Sequence, residues 1–160
     1  FPTYPFDMLK VLSRLVFWIS GWKLGPIVIE NIPQSVLIAA PHTSNWDLVF
    51  ARCAFFIMGV PLRFTIKKEW MRFPFNYLMG PLGAIPIDRT PKDGGLKKRN
   101  MVDVMADLFK ANDHIVVLVT PEGTRSKNSN WKSGFYHTAV KAGVPIACGY
   151  LDYSKKEAGI

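Results

Sequence analysis

The sequence is short of the features that mark many protein classes. Two cysteines in 160 residues exclude a disulfide-built scaffold. Acidic residues number 12 against 20 lysines and arginines, so the formal charge is +8. Charged residues make up only 20%, below the ~25% usual in soluble domains, and that argues against intrinsic disorder. No run approaches 18 consecutive apolar residues, so no segment has the length of a transmembrane helix. Internal repeats, low-complexity tracts and polar linkers are also missing, which leaves a single domain.

What is there is both oily and basic. Apolar residues reach 49% and aromatics 13%. A basic chain commonly meets phosphate on nucleic acid, on an anionic membrane or on a small substrate, and a membrane surface suits both halves of this composition. Plain solubility is the alternative reading of the charge. Cys53 and Cys148 sit among apolar neighbours, so both are expected to be buried free thiols of a reducing compartment. The first residue is Phe, and the segment Phe6–Trp22 is the most apolar early stretch. Lys10 and Arg14 interrupt the apolar core that a secretory signal needs. As a helix it gathers Lys10, Ser13, Arg14 and Gly21 near one stripe and leaves a wide apolar arc, with Trp18 and Trp22 near its end. Two uses fit that pattern: packing on the domain core, or lying in a membrane interface. The expectation is a membrane-associating segment over residues 1–24 and a globular domain over 25–160, at the cytoplasmic face of a membrane.

Short β-rich runs alternate with helical patterns along the rest of the chain. Strands are expected at Ile27–Ile32, Val36–Ala40, Arg63–Ile66, Ala84–Ile87, Ile115–Val119 and Ile146–Leu151. Helices are expected at Trp46–Met58, Trp70–Met79, Lys97–Lys110 and Gly134–Ala142, the third with Met101, Val102, Met105, Leu108 and Phe109 on one face. The alternation predicts an α/β domain with a central mixed, largely parallel sheet flanked by helices, plus the N-terminal amphipathic helix. In such folds ligands gather where strand ends meet loops.

Three such loops carry chemistry. The first is Pro41-His42-Thr43-Ser44-Asn45-Trp46-Asp47. Ser44-x-x-Asp47 reads as a capping box for the helix that follows. The same spacing also lets Asp47 orient His42 as a neutral general base beside a helix N-terminus. Spacing alone leaves both readings open. The second loop is Thr120-Pro121-Glu122-Gly123-Thr124-Arg125-Ser126. Gly123 would let the backbone approach a ligand, Arg125 has a fork suited to phosphate, and Glu122 would orient a cation. A charged surface turn is the alternative. In the third, Gly83-Ala-Ile-Pro-Ile-Asp-Arg89, a strand delivers Arg89 to its end, while Lys67 and Lys68 follow another strand. No zinc-ligand spacing links His42, His114 and His137, so no metal is expected. No nucleic-acid-binding motif occurs either.

Taken together the loops resemble the four ordered blocks of the glycerolipid acyltransferase family, typified by the 1-acylglycerol-3-phosphate acyltransferases. His42-Thr-Ser-Asn-Trp-Asp47 matches its His-x4-Asp block, and Gly83–Arg89 is similar to its second. Pro121-Glu-Gly-Thr-Arg-Ser126 matches the third, and Gly143-Val-Pro-Ile146 resembles the fourth. The resemblance implies acyl transfer from acyl-CoA or acyl carrier protein to the hydroxyl of a lysophosphatidate-like acceptor, at a peripheral membrane surface and without a cofactor. It implies His42 as general base and Asp47 as its partner. Arg89, Glu122, Gly123, Thr124, Arg125 and Lys67 would form the phosphate site. Glycerol-3-phosphate, another lysophospholipid or an aminoacyl lipid are alternative acceptors, and a non-catalytic lipid-phosphate-binding module is the alternative class.

Overall fold

A computed structural model describes residues 6–26, 32–40, 44–87, 100–123 and 130–160. Within them a seven-stranded sheet has the order β1-β7-β6-β2-β5-β3-β4. Its strands are β1 (Lys23–Leu24), β2 (Gln34–Ala39), β3 (Leu62–Lys67), β4 (Ala84–Ile87), β5 (Ile115–Val119), β6 (Ile146–Asp152) and β7 (Glu157–Gly159). All neighbours run parallel except β6 and β7. The sheet is therefore mixed and largely parallel, as its alternating sequence predicts. Helices α1 (Phe6–Ser20), α2 (Asn45–Met58), α3 (Asn76–Met79), α4 (Met101–Lys110) and α5 (Gly134–Ala142) complete the fold.

The two faces of β2 show how the layers are filled. Val36 packs with Met105 and Phe109 of α4 and Ala139 of α5. Its neighbour Leu37 points the other way and packs with Phe55 of α2, Leu62 and Val116. Alternate side chains of a strand face opposite sides, so α2 covers one face of the sheet and α4 and α5 the other. Each such apolar side chain taken from water contributes about 1.5–3 kcal/mol. The expected face of α4 is found: Met105 and Phe109 are buried and Met101 and Leu108 pack against them.

Several expectations need correction. The stretch Trp70–Met79 is not one helix but a 3-10 turn over Lys68–Met71 and the single turn α3. Pro74 between them lacks an N–H and disfavours helical backbone at Phe73. The strands β1 and β7 were not expected. The expected strand Ile27–Ile32 lies outside the described residues apart from Ile32, which packs on the α2 side. Cys148 is exposed and Cys53 only half-buried. Side chains of β6 alternate, and Ile146, Cys148 and Tyr150 share the face left open to water.

Helix α1 also packs differently from the expected amphipathic pattern. Its buried seam is Ser13 and Phe17, followed by Trp22, which sits against Ala54 and Ala158. Ser13 was expected on the polar stripe, yet its Oγ donates to Leu9 O at 2.7 Å and so enters the helix interface satisfied. Meanwhile Met8, Val11, Leu12, Leu15, Trp18 and Ile19 all face solvent, Trp18 at 80% exposure. Among the described residues no helix is long and apolar enough to cross a membrane.

One glycine of the third loop is explained by the fold itself. Gly83 has φ +86°, and a Cβ there would stand 2.5 Å from Leu62 O. Its own carbonyl accepts from Phe64 N–H at 3.1 Å. Gly83 thus serves the pairing of β3 with β4 and needs no ligand to account for it.

Candidate functional site

Strands β2 and β5 are neighbours, with Ile38 level with Val119. The helices that follow them lie on opposite faces of the sheet, α2 after β2 and α5 after β5. Such a reversal opens a crevice at the sheet edge where ligands bind. Next to β5, strand β3 ends at Lys67, level with Ile87 of β4. The topology therefore brings to one edge the carboxyl ends of β2, β5, β3 and β4, the strands after which the expected loops follow in sequence. His42, Arg89, Thr124 and Arg125 lie outside the described residues, as does the side chain of Lys67.

Asp47 is the best-defined member, 7% exposed in the first turn of α2. The capping box is present. Ser44 Oγ accepts from Trp46 N–H at 3.1 Å, and Asp47 Oδ2 accepts from Ser44 N–H at 2.8 Å. Asp47 Oδ1 accepts from the Tyr153 hydroxyl at 2.6 Å, a length typical of a bond to an ionised carboxylate. Sequence reasoning gave Tyr153 no role. Burial first, then the hydrogen bond and charge of Asp47, push the Tyr153 phenol up to about 12. Its ring stands edge-on to Trp22 at 5.2 Å and to Phe50 at 6.2 Å. Trp22 in turn stacks on Phe50 at 4.5 Å, so the segment after α1 is packed against the first turns of α2.

In the second loop Glu122 is buried, 6% exposed, and Gly123 has φ +63°. The expected reason for a glycine there was close approach of a ligand. What lies across it is Lys132: a Cβ on Gly123 would meet Lys132 Nζ at 2.7 Å and Cε at 3.0 Å. Lys132 N–H also donates to Pro121 O at 2.9 Å. Lys132 is thus a cation at the site edge that motif spacing does not announce, because it follows the loop by several residues. One other arginine is structural. Arg52 is buried on α2, donates to Leu62 O at 3.0 Å and lies 4.2 Å over the Phe56 ring. Burial first, and Arg63 after it, lower its pKa to about 10. Burial likewise pushes the Cys53 thiol up, so this sulfur is not an activated nucleophile.

A cavity of about 450 Å³ adjoins Asp47 and Thr120. From α2 it is walled by Leu48, Ala51, Ala54, Phe55 and Met58, the spacing of a single helix face. Eleven residues separate Asp47 from Met58, so the lining follows the helix for about 16 Å. Ala51 and Ala54 leave the room on the helix side, and Gly149 leaves it on the sheet. The small-and-apolar stripe is visible in the sequence once α2 is assigned. Beside this sheet edge, after β3, Trp70, Phe73, Phe75, Tyr77 and Leu78 are exposed, Phe73 at 81%.

A family model described as Acyltransferase matches residues 27–150. The 1-acyl-sn-glycerol-3-phosphate acyltransferase of Salmonella typhimurium is 32% identical over 125 residues, 76% of this chain and 48% of that protein. The protein of the same name from Escherichia coli is 31% identical over 125 residues, with the same coverage. That from Haemophilus influenzae is 28% identical over 149 residues, 89% of this chain and 54% of the relative. The chain spans about half the length of these curated relatives.

Proposed function

The chain belongs to the acyltransferase family, and from that premise we propose that it moves a fatty acyl group from a thioester to a lysophosphatidate-like acceptor. The donor is an acyl-CoA or an acyl carrier protein. One observation carries the reading: an apolar cavity runs along α2 from the carboxylate of a His-x4-Asp motif. A fatty chain can lie there with its carboxyl carbon at the reacting end.

The chemistry follows from the residue types. The acceptor hydroxyl gives its proton to Nε2 of a neutral His42, whose ordinary pKa of about 6.5 suits a base near pH 7. Asp47 holds Nδ1–H and stabilises the imidazolium as it forms. The acceptor oxygen bonds to the thioester carbonyl carbon, the C–S bond breaks, and the leaving thiolate takes the proton from the imidazolium. Arg89, Arg125 and Lys67 bind the acceptor phosphate, and Glu122, Gly123 and Thr124 shape the turn that presents Arg125. No acyl-enzyme is needed. The test is an acceptor panel of lysophosphatidate, glycerol-3-phosphate and other lysophospholipids, each with one acyl-CoA and one acyl carrier protein, read by lipid mass spectrometry. Phosphatidate formed from lysophosphatidate is the expected product. Binding of every acceptor without any acylated product would replace the enzyme with a lipid-phosphate-binding module.

The reaction takes place at the cytoplasmic face of a membrane, which α1 touches from the side. What supports this is the outward apolar face of α1, together with the exposed aromatics that follow β3, where Lys68 and Arg72 add positive charge. Tryptophans and basic residues together suit an anionic headgroup layer. Deleting residues 1–22 would remove Phe17 and Trp22 from the core, so point changes on the exposed face are the cleaner probe. Replacing Leu15, Trp18 and Ile19 by Gln together should lower sedimentation with anionic vesicles by about tenfold or more. Unchanged partitioning would remove the membrane role of α1.

A further inference from the structure

The turn between β6 and β7 sends one side chain back to the site, and none of the four family-like blocks contains it. We propose that Tyr153 is a positioning residue for acyl transfer, whose hydroxyl fixes Asp47 in the orientation that serves His42. This rests on the reading of His42 and Asp47 as a base and its partner.

Helix capping does not explain the contact. The capping box uses Asp47 Oδ2 and Ser44 Oγ, so α2 can start without Tyr153. The Tyr153 bond lands on the other oxygen, Oδ1, at 2.6 Å and across 106 residues of sequence. Ser44 Oγ also reaches Oδ1, but at 3.4 Å, so the short bond to that oxygen is the one from Tyr153. With Oδ2 held by Ser44 N–H, the group is fixed about its Cα–Cβ and Cβ–Cγ bonds. The tyrosine itself is held from three sides. Asp152 Oδ1 accepts from Ser154 N–H at 2.9 Å, from Ser154 Oγ at 2.6 Å and from Lys155 N–H at 3.1 Å, closing the turn. Phe50 and Trp22 pack against the ring. A catalytic group must be held within about 0.5 Å of its working position by neighbours that are themselves locked, and this arrangement meets that need.

The hydroxyl also draws charge from the carboxylate. Without it, Asp47 would offer its full charge to the imidazolium and raise the pKa of His42. Other ionisable groups near the site come from the β6–β7 turn, from β1 with β7, and from the end of β5. Asp152 pairs with Lys155 at 3.4 Å and is held at about 2 by Ser154 and Lys155. Glu157, held low by Tyr150 and Lys23, bonds the Tyr150 hydroxyl at 2.8 Å. Both carboxylates therefore stay ionised across the range in which a histidine titrates, as Tyr153 stays neutral. Glu122 is the buried carboxylate at the end of β5.

The experiment uses the full chain and follows thiol release from acyl-CoA with lysophosphatidate. Tyr153→Phe keeps the ring packing and removes only the hydroxyl. We expect kcat to fall about tenfold with acceptor KM unchanged, and the acid limb of kcat/KM to move up by about half a pH unit. In an Asp47→Asn background the same change should have almost no further effect, because Tyr153 acts through Asp47. If His42→Ala is inactive but Tyr153→Phe matches the parent in kcat and acid limb, the positioning role is overturned and the acyltransferase reading stands. A loss that appears only in the denaturation midpoint, or is fully additive with Asp47→Asn, overturns it too. Turnover retained by His42→Ala would overturn the base assignment itself.

Discussion

His42→Ala should cut acyl transfer by about 10² to 10⁴-fold, the contribution a well-placed general base makes. The measurement is thiol release from acyl-CoA in the presence of lysophosphatidate, with circular dichroism and a denaturant midpoint as folding controls. The loss should fall on kcat, since the imidazole takes up a proton that moves only as the new C–O bond forms. Asp47 is already anchored by Ser44 and Tyr153, so removing the ring leaves the carboxylate in place. Wild-type turnover in a folded His42→Ala protein would sink the base assignment.

Arg125→Ala should act on the other substrate parameter. A phosphate clamp already works in the ground state, so acceptor KM should rise while kcat changes little. A hydrogen bond to a charged group is worth about 1.5–3 kcal/mol, which corresponds to a rise of about 10- to 150-fold. Arg125→Lys keeps the charge and loses the fork, and should lie between the two. The measurement is initial velocity against lysophosphatidate concentration at saturating donor. An unchanged KM would mean that Arg125 faces away from the phosphate.

Most of the central sheet was legible because its strands are written in β-branched residues. Ile115–Val119 and Ala84–Ile87 fall where the pattern puts them, and Gly134–Ala142 is found with its expected bounds. Ser44 and Asp47 announce the start of α2 through local chemistry alone. The edge strands were not legible. β1 has two residues and β7 three, too few for any period to show, and they exist through tertiary pairing, β7 with β6 and β1 with β7. Which side of α1 packs inward was not legible for a related reason. A wheel of side chains shows an apolar arc but not which side the rest of the fold covers, and here Ser13 and Phe17 face inward. At the site, residues within a motif could be read from spacing. Tyr153 and Lys132 could not, because only tertiary pairing carries them back to the motif. Cys148 was misplaced because an apolar neighbourhood in sequence alternates sides on a strand, and its side is the open one.

Ser44 and Asp47 lie three residues apart, so their reciprocal bonds can form with the first turn of α2, on the sub-microsecond to microsecond scale of helix formation. The Tyr153 bond must close a loop of 106 residues and waits until β6 has paired with β2 and β7 with β6. Loop closure over that distance is a late event relative to a helical turn. The carboxylate at the heart of the site is therefore aimed first by local structure and locked later by a partner 106 residues away. A chain that has built α2 but not its last strands holds a correctly capped helix and an unfinished site.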